Sequence, residues 1–498
     1  MTSAYASLEA RFRRLTLLGD AQGVLQWDMA AIMPDGGAGV RGDQLAALKV
    51  VSHEILTDRA VGDLLDGAES ENRALDPWQR ANLVEMRRSW RHATAVPAEL
   101  VAARSKAVSD CEMAWRTARA ANDFKGLLPL LRRVLALTRE TAQAKAQALG
   151  VAPYDALLDR YEPGGSSREI DALFDDLAAF LPGFTSAVID KQNRAGAPLP
   201  LAGHYPAEGQ TRLARELMAA IGFDFAHGRL DISHHPFCGG VPDDVRITTR
   251  WNERDWVSGI MAVLHETGHA MYERGLPVAW RYQPVGKARG MSLHESQSLL
   301  VEMQACRSRP FVAYLAGRAA AAFGGSGPAW SADNLYKLYT RVERGLIRVE
   351  ADEVTYPAHV ILRYRLEKAM IAGGLDLADL PGAWNESMRE LIGVTPPDDK
   401  DGCLQDIHWP GGAWGYFPTY TLGAMTAAQL FDAATRAVPA IPDALGRGDF
   451  APLMGWLRAN IHEKASSLSG GDLVSVATGR PLDPAVYKRH LTRRYLDA

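Results

Sequence analysis

The chain has 498 residues, 47% of them hydrophobic, and a formal net charge of -4 at pH 7. This length and composition allow a sizeable core, and the interspersed acidic and basic residues give no reason to expect nucleic acid or an anionic membrane surface as a partner. No stretch of 18 or more apolar residues runs uninterrupted, so a membrane span is not expected.

The first residues and the cysteines both favour a cytoplasmic location. Charged residues between positions 9 and 14 interrupt the region where a secretory signal would place its apolar core. The cysteines lie far apart and lack C-x-x-C spacing, which is typical of reduced packing residues. They are Cys111, Cys238, Cys306 and Cys403.

Most of the chain is predicted to be helical. Apolar residues recur at intervals of three and four positions, which is the period of an amphipathic helix. The clearest of these segments are 128–149, 169–190, 294–322 and 332–371. The main exception is residues 224–251, where Gly and Pro separate short β-favouring runs, and there we predict a small sheet or hairpin.

A pair of histidines follows this predicted sheet, in the stretch VLHETGHAMYERG. In a helix, His265 and His269 project from one face, one turn apart, close enough to bind a single metal ion. Glu266 lies about 100° around from His265, where it can contact a metal-bound water without being a ligand. Asn252 is the candidate N-cap of this helix, with Asp255 three residues on.

A catalytic zinc needs a third protein ligand, because its fourth position stays open for water. The chain lacks the downstream glycine and histidine of the metzincin pattern, so a glutamate from the next predicted helix is the other common solution. Glu295 and Glu302 lie seven residues apart, on one helical face, and periodicity alone does not choose between them. Glu295 has an alternative role, because it forms a potential capping box with Ser292.

Further motifs are spread along the chain: LQWDMAAIMPDGG (25–37), HPF (235–237), DVRIT (244–248), HESQ (294–297), IRVEAD (347–352) and GCLQDIHW (402–409). Together with HETGH, they make the chain resemble the carboxypeptidase Taq family of metallocarboxypeptidases, from near the N-terminus almost to the C-terminus. The resemblance implies that Glu295, in the HESQ motif, is the third metal ligand.

The resemblance also implies a fold and an activity. The implied fold is mainly α-helical, large and two-lobed, with a deep central groove and a small β-sheet near the active site, similar to neurolysin and angiotensin-converting enzyme. It forms one catalytic domain over residues 1–498 and is commonly a homodimer. The implied activity is the metal-dependent release of single C-terminal residues from short unstructured peptides, with broad specificity. Zinc is the expected metal, and a site of two histidines and one glutamate also tolerates cobalt or manganese.

The chemistry expected at such a site follows from general principles. Zinc polarises the scissile carbonyl and lowers the pKa of its bound water to about 7. Glu266 is then the general base that accepts the water proton and returns it to the leaving amine. The oxyanion needs further donors. The tail offers His408, Tyr416 and Tyr420, and by the resemblance we favour His408 and Tyr420.

An exopeptidase must also bind the free carboxylate of its substrate, for which a bidentate arginine is the natural partner. Arg348 in IRVEAD is the preferred candidate, and Arg246 in DVRIT is the second. Arg348 has the alternative role of an internal ion pair with its neighbours Glu350 and Asp352. His235 of the HPF motif is a candidate substrate contact.

Smaller expectations concern the surroundings of the site. Each metal-binding histidine is expected to donate its second ring N–H to an oxygen acceptor, for which Glu302 and Asp352 are candidates. His294 is a further candidate substrate contact. Pro357 departs from the family pattern, and we expect it to kink or restart its helix.

Two alternatives stay open at this point. The first is a zinc endopeptidase or dipeptidyl carboxypeptidase on the same fold, because the metal ligands would be identical and only the closed end of the groove and the partner of the substrate carboxylate would differ. The second is a helical binding scaffold in which HETGH is structural. Metal analysis and the products released from short peptides would separate these alternatives.

Overall fold

The computed structural model describes residues 3–497. In this part of the chain, twenty α-helices accompany a single three-stranded sheet, which confirms the prediction of a mainly helical protein with a small sheet. Residues 1, 2 and 498, at the ends of the predicted catalytic domain, lie outside the described residues.

Among the described residues, nine helices precede the sheet: α1 (Ala4–Ala31), α2 (Ala38–Thr57), α3 (Arg59–Ser70), α4 (Pro77–Thr94), α5 (Ala98–Ala121), α6 (Phe124–Leu149), α7 (Pro153–Leu158), α8 (Ser167–Ala195) and α9 (Ala207–Ile221). Those that follow it are α10 (Trp256–Gly275), α11 (Gly290–Leu299), α12 (Arg309–Phe323), α13 (Ala332–Tyr339), α14 (Tyr356–Ala372), α15 (Leu380–Leu391), α16 (Pro418–Ala437), α17 (Ile441–Leu445), α18 (Ala451–Asn460), α19 (Gly470–Thr478) and α20 (Pro484–Thr492). Short π-helical segments, Leu300–Cys306 and Arg493–Asp497, continue α11 and α20.

The sheet forms where it was predicted and supports the helix that carries the histidine pair. Its strands are β1 (Gly228–Ile232), β2 (Phe237–Val241) and β3 (Asp244–Thr249). Central strand β3 pairs in parallel with β1 and antiparallel with β2. Val245 and Ile247 of β3 are buried in the same core as Ile260 and Val263 of α10. The sheet therefore serves as a platform for α10.

The start of α10 differs from the prediction by three residues. Asp255 is the N-cap, and its carboxylate accepts a hydrogen bond of 3.2 Å from the backbone N–H of Ser258. Asn252 instead accepts from the backbone N–H of Arg254, in the turn before the helix. An ionised carboxylate suits the positive end of the helix dipole. Gly275 is the last helical residue of α10.

The predicted helical segment 332–371 is wrong as one continuous element. Helix α13 ends at Tyr339 and α14 begins at Tyr356, and an irregular segment carrying Arg348 separates them. Asp352 stabilises the turn before α14 by accepting hydrogen bonds from the backbone N–H groups of Val354 and Thr355. Pro357 lies in the first turn of α14, where its missing N–H costs nothing. The expectation that Pro357 restarts a helix is confirmed.

Two large clusters of buried side chains form the cores of two lobes. One cluster draws mainly on α5, α6, α8, α14 and α15, and the other on α9 to α12, β3 and α17 to α19. Helix α16 belongs to both, because Leu422 and Met425 lie in the first cluster whereas Ala427 and Leu430 lie in the second. A smaller cluster joins α1, α3 and α4. The two large lobes are therefore joined along α16.

Within the described residues, α8 is the helix long and apolar enough, by length and composition, to cross a membrane. Its side chains Ile170, Phe174, Leu177 and Leu181 are buried in the first cluster. Burial of an apolar stripe is what a core helix of a bundle achieves.

Helix α10 crosses α11 in direct backbone contact at Gly268, between the two histidines. A Cβ atom at this position would lie 2.6 Å from the carbonyl oxygen of Gln297 and 2.6 Å from the Cα of Ser298. Helix α16 makes a similar approach, because a Cβ at Gly423 would lie 2.8 Å from the Cβ of Glu295. These contacts hold Glu295 between α10 and α16.

We predict that Gly268→Ala destabilises the protein by about 1–3 kcal/mol, because the added methyl group forces two packed backbones apart. Metal content should fall as well, since the same shift moves Glu295 away from the histidines. Gly317→Ala in α12 is the matched control, because nothing lies within 4 Å of a Cβ added there. Urea unfolding and metal analysis of both variants are the measurements; a Gly268→Ala protein as stable as the wild type would contradict the close-crossing argument.

Candidate metal centre and active site

Three side chains from α10 and α11 place metal-binding atoms around one point. Oε2 of Glu295 lies 4.0 Å from Nε2 of His265 and 3.5 Å from Nε2 of His269, and potential ligand atoms of the three residues lie within 4.8 Å of one another. Ligands about 2.0–2.2 Å from a tetrahedral zinc are about 3.4 Å apart, so a small contraction would suffice. These residues therefore fit a divalent metal through two imidazoles and one carboxylate.

Glu295 and Glu302 both contact His265, but on opposite nitrogens. Nδ1 of His265 donates a hydrogen bond of 2.9 Å to Oε2 of Glu302, whereas Glu295 faces Nε2. The second oxygen of Glu302 accepts a hydrogen bond of 2.5 Å from Nη2 of Arg307. Glu302 therefore orients the imidazole and is not placed as a ligand, which answers the question that periodicity left open. Asp352, the other predicted acceptor, caps backbone groups instead.

The capping role considered for Glu295 is wrong. Helix α11 begins at Gly290, so Ser292 already lies inside the helix, and its backbone N–H donates to Glu162 at 3.2 Å. Glu295 is therefore in the second turn, beyond the reach of the unpaired N–H groups at the helix start. Its carboxylate is free to face the histidines.

His269 is oriented by a chain of two further side chains. The Nδ1 atoms of His269 and His294 are 2.6 Å apart, and Nε2 of His294 is 2.8 Å from Oε1 of Glu273. If Nε2 of His269 binds a metal, Nδ1 of His269 carries the proton and donates a hydrogen bond to Nδ1 of His294. Nε2–H of His294 then donates a hydrogen bond to Glu273. The two metal-facing histidines thus have different hydrogen-bond partners, Glu302 for His265 and His294 for His269.

Glu266 stands beside the metal-facing atoms without a partner of its own. Its side chain is buried, and among residues 3–497 it forms no hydrogen bond or ion pair. Burial raises the pKa of Glu266 to about 7, opposed by the positive charge of His265. A carboxylate with such a pKa can both accept and return a proton near neutral pH.

The tail brings His408, Tyr416 and Tyr420 together. Nε2 of His408 lies 3.2 Å from the hydroxyl of Tyr420, and the rings of Tyr416 and Tyr420 pack edge to face at 5.1 Å. Burial raises the pKa of both phenols, and the nearby negative charge of Glu295 adds to the effect. Both hydroxyls are therefore protonated at neutral pH and available as donors, close enough to Glu295 to feel its charge.

Tyr356 belongs to the same group, and sequence reasoning missed it. Its hydroxyl lies 3.3 Å from Nη1 of Arg348, and its ring packs 6.1 Å from that of Tyr420. Burial is the main cause that raises the pKa of Tyr356, and the charge of Glu295 also contributes. The position of Tyr356 beside Pro357, at the start of a helix, was its only sequence signal.

Arg348 lies in a buried cluster with an excess of positive charge. Its Nε and Nη2 atoms donate to Oδ1 of Asp406 at 3.0 and 2.8 Å, while Nε of Arg363 donates to Oδ2 at 2.6 Å. Two guanidinium groups therefore share one carboxylate. His408 adds no charge at neutral pH, because burial lowers its pKa to about 4. An internal ion pair does form, but with Asp406 and not with Glu350 or Asp352.

Arg246 and His235 lie apart from this cluster. Nη2 of Arg246 donates to Asp244 at 2.6 Å, and its guanidinium stacks over Trp27 at 4.5 Å. His235 is exposed in the turn between β1 and β2, where its carbonyl accepts from Ser233. Neither side chain contacts the metal-facing atoms.

A cavity of about 760 Å³ is lined in part by His294, the side chain that contacts His269, and not by the metal-facing residues themselves. Helices α1, α2 and α4 line one side, and β2, the end of α10 and the start of α11 line the other. Glu273, His294 and Met291 form part of the wall nearest the site. Tyr161 also lines it and packs edge to face on Tyr416 at 5.0 Å, so one side chain separates the cavity from Tyr416.

Comparison with known proteins agrees with this architecture. The family described as carboxypeptidase Taq (M32) metallopeptidase matches residues 7–495. Thermostable carboxypeptidase 1 of Thermus thermophilus is 39% identical, over 99% of this chain and 98% of the relative. Carboxypeptidase 1 of Bacillus subtilis is 30% identical, over 97% and 96% of the two chains.

Solved structures agree as well. Metallocarboxypeptidase 1 of Trypanosoma cruzi superposes with a TM-score of 0.97 at 40% identity, covering 99% of both chains. The Pyrococcus furiosus carboxypeptidase gives a TM-score of 0.93 at 31% identity, covering 100% of this chain and 99% of that one. The predicted fold class is confirmed. The chain therefore belongs to the carboxypeptidase Taq family of metallopeptidases and is a metallocarboxypeptidase.

Proposed function

We propose that the protein uses zinc to release single residues from the free C-termini of short, unstructured peptides, with broad specificity. The observation that carries the proposal is the group formed by His265, His269 and Glu295, with the unpaired carboxylate of Glu266 beside them. Two imidazoles and one carboxylate suit zinc, although cobalt and manganese are accepted by the same donors. The homodimer and the cytoplasmic location stay predictions.

Each residue has a distinct task in this proposal. A bound zinc would supply Lewis acidity and a water of lowered pKa. Glu266 would hold the proton taken from the attacking water and pass it to the leaving amine. Tyr420, Tyr416 and His408 are the candidate donors to the oxyanion, because both phenols lie within the influence of Glu295 and His408 contacts the hydroxyl of Tyr420.

Release of single residues requires a group that recognises the free terminal carboxylate. The cluster of Arg348, Arg363 and Asp406 offers one, because it has more cations than anions and lies next to Tyr420. A substrate carboxylate would balance this charge. An endopeptidase or dipeptidyl carboxypeptidase with the same metal ligands is the alternative, and it would not need the carboxylate of a single released residue to be bound at this cluster.

We predict that Glu295→Ala abolishes stoichiometric metal binding, because it removes the only carboxylate that faces Nε2 of both histidines among residues 3–497. Glu302→Ala is the matched control, and it should weaken binding by about 10–100-fold without abolishing it. Metal content and chelator competition are the measurements. If Glu295→Ala kept its full metal content and Glu302→Ala lost its metal, Glu302 would be the ligand and Glu295 would not.

We predict that Glu266→Gln keeps its metal and loses about 10²–10⁴-fold in kcat, because the amide cannot accept the water proton. Metal analysis and steady-state kinetics on a short free-acid peptide are the measurements. Glu85→Gln in α4 is the control for a general effect of replacing a buried carboxylate, because Glu85 pairs with Arg289 and not with the metal-facing histidines, and it should retain far more activity. Simultaneous loss of metal and activity in Glu266→Gln would argue against a pure general base.

We predict that Arg348→Ala lowers kcat/KM on free-acid peptides by about two orders of magnitude, since hydrogen bonds to charged groups contribute about 1.5–3 kcal/mol each. The rate on C-terminally amidated peptides, which we expect to be low in the wild type, should hardly change, so the rates on the two substrates converge. Arg246→Ala is the comparison variant, since Arg246 is also paired with an aspartate.

Two outcomes of this experiment would change the assignment. Convergence in Arg246→Ala and not in Arg348→Ala would move carboxylate recognition to the sheet. Equal wild-type rates on free and amidated peptides would replace the carboxypeptidase mechanism proposed here with the endopeptidase alternative. Mass analysis of the products, which distinguishes single residues from dipeptides, completes the measurement.

A further inference from the structure

Glu367 of α14 is a buried carboxylate without a cationic partner. Its residue is fully buried, and no lysine, arginine or histidine among residues 3–497 forms an ion pair with it. Three neutral donors satisfy it instead. Oε1 accepts from the hydroxyl of Tyr154 and the backbone N–H of Gly415, each at 2.8 Å, and Oε2 accepts 2.8 Å from Nε1 of Trp409.

Two of these donors belong to the segment that carries the oxyanion candidates. Trp409 directly follows His408, and Gly415 directly precedes Tyr416. Glu367 therefore binds this segment at both of its ends. Tyr154 lies on α7, and the backbone of Gly415 lies against the backbone of α7, because a Cβ there would be 2.9 Å from the carbonyl carbon of Leu157.

The segment between these two points has no helix or strand to hold it. It is stabilised by turns, such as the 2.7 Å hydrogen bond from the backbone N–H of Ala413 to the carbonyl of His408. Trp409 stacks on Trp414 at 5.8 Å, and Nε1 of Trp414 donates to the carbonyl of Trp409 at 3.2 Å. The carboxylate of Glu367 is the one group of the described residues that bonds to both Trp409 and Gly415.

We propose that Glu367 is a positioning residue for catalysis, which acts through Trp409 and Gly415 to hold His408 and Tyr416 in place. Its carboxylate bonds to Tyr154, Trp409 and Gly415 and not to the metal-facing residues. The proposal rests on the proposed function for its kinetic test, because His408 and Tyr416 are assigned there as oxyanion donors.

The acceptor pattern explains why a carboxylate is present. An ionised carboxylate is acceptor-only, so both of its oxygens can meet N–H and O–H donors. A glutamine at this position would direct its NH₂ group, a donor, toward Nε1–H of Trp409 or toward the donors of Tyr154 and Gly415. One donor would then face another donor. The hydrophobic surroundings oppose the charge, since burial raises the pKa of Glu367 to about 7, and the three hydrogen bonds from Tyr154, Trp409 and Gly415 offset part of this effect.

The test is a double-mutant cycle of Glu367→Gln with Trp409→Phe. Glu367→Gln should lower kcat at least tenfold with little change in KM, because the donors contact the oxyanion and not the bound peptide. In the double variant the indole N–H that opposes the glutamine NH₂ is absent. The kcat of the double variant, relative to the wild type, should therefore exceed the product of the relative kcat values of the two single variants by at least threefold.

Trp384→Phe is the matched control for the tryptophan change. Trp384 is buried in the same aromatic group and packs edge-on against Trp409 at 6.2 Å, but its Nε1 has no hydrogen-bond partner. Its effect should combine additively with that of Glu367→Gln. A kcat for Glu367→Gln within twofold of the wild type, or additivity with Trp409→Phe, would overturn the proposal.

A second measurement separates this inference from the proposed function. Near-ultraviolet circular dichroism reports the packing of the tryptophans around position 409 without any substrate. If the wild-type protein has metal but no carboxypeptidase activity, the proposed function fails. Non-additive changes in the circular dichroism of the Glu367→Gln and Trp409→Phe variants would still support the role of Glu367 in positioning the segment. An active wild type with no coupling in either readout would remove only the role of Glu367.

Discussion

The close crossing of three helices at Gly268 and Gly423 is the constraint on which the site depends. A single methyl group at either position would overlap the neighbouring helix. Because α10, α11 and α16 touch at backbone distance, Glu295 reaches the face of α10 that carries His265 and His269. Helix α16 also carries Tyr420 and belongs to both large cores. The same helix contacts therefore determine both how the two lobes pack and where the metal-facing atoms lie.

Buried charge is arranged differently on the two sides of the site. On the metal side, carboxylates exceed permanent cations: Glu266, Glu295 and Glu302 are buried near His265, and Arg307 balances one of them. On the tail side, Arg348 and Arg363 share Asp406. A divalent cation would offset the first excess and a carboxylate the second. Binding of a metal ion and of a peptide C-terminus would therefore bring both sides of the site closer to neutrality.

Local patterns in the sequence predicted the parts of the site that depend on local geometry. The four-residue spacing of His265 and His269 needs only a helix, and Pro357 needs only a fixed backbone angle. Partners that are distant in sequence were not predictable. Arg348 pairs with Asp406, which lies 58 residues further along the chain, and not with its acidic neighbours. Which residue caps α10 was missed as well, because Asn252 and Asp255 both match the pattern.

The choice between Glu295 and Glu302 shows why family resemblance was needed as well as periodicity. Both residues face His265, so the heptad spacing was informative about the face but not about the role. The roles differ because Glu302 lies in the π-helical segment and is held by Arg307, whereas Glu295 lies opposite Gly423 of α16. Tertiary contacts turn two equivalent sequence positions into a candidate metal ligand and the support of a neighbouring ligand. The chemistry of the site therefore depends on interactions that no single helix contains.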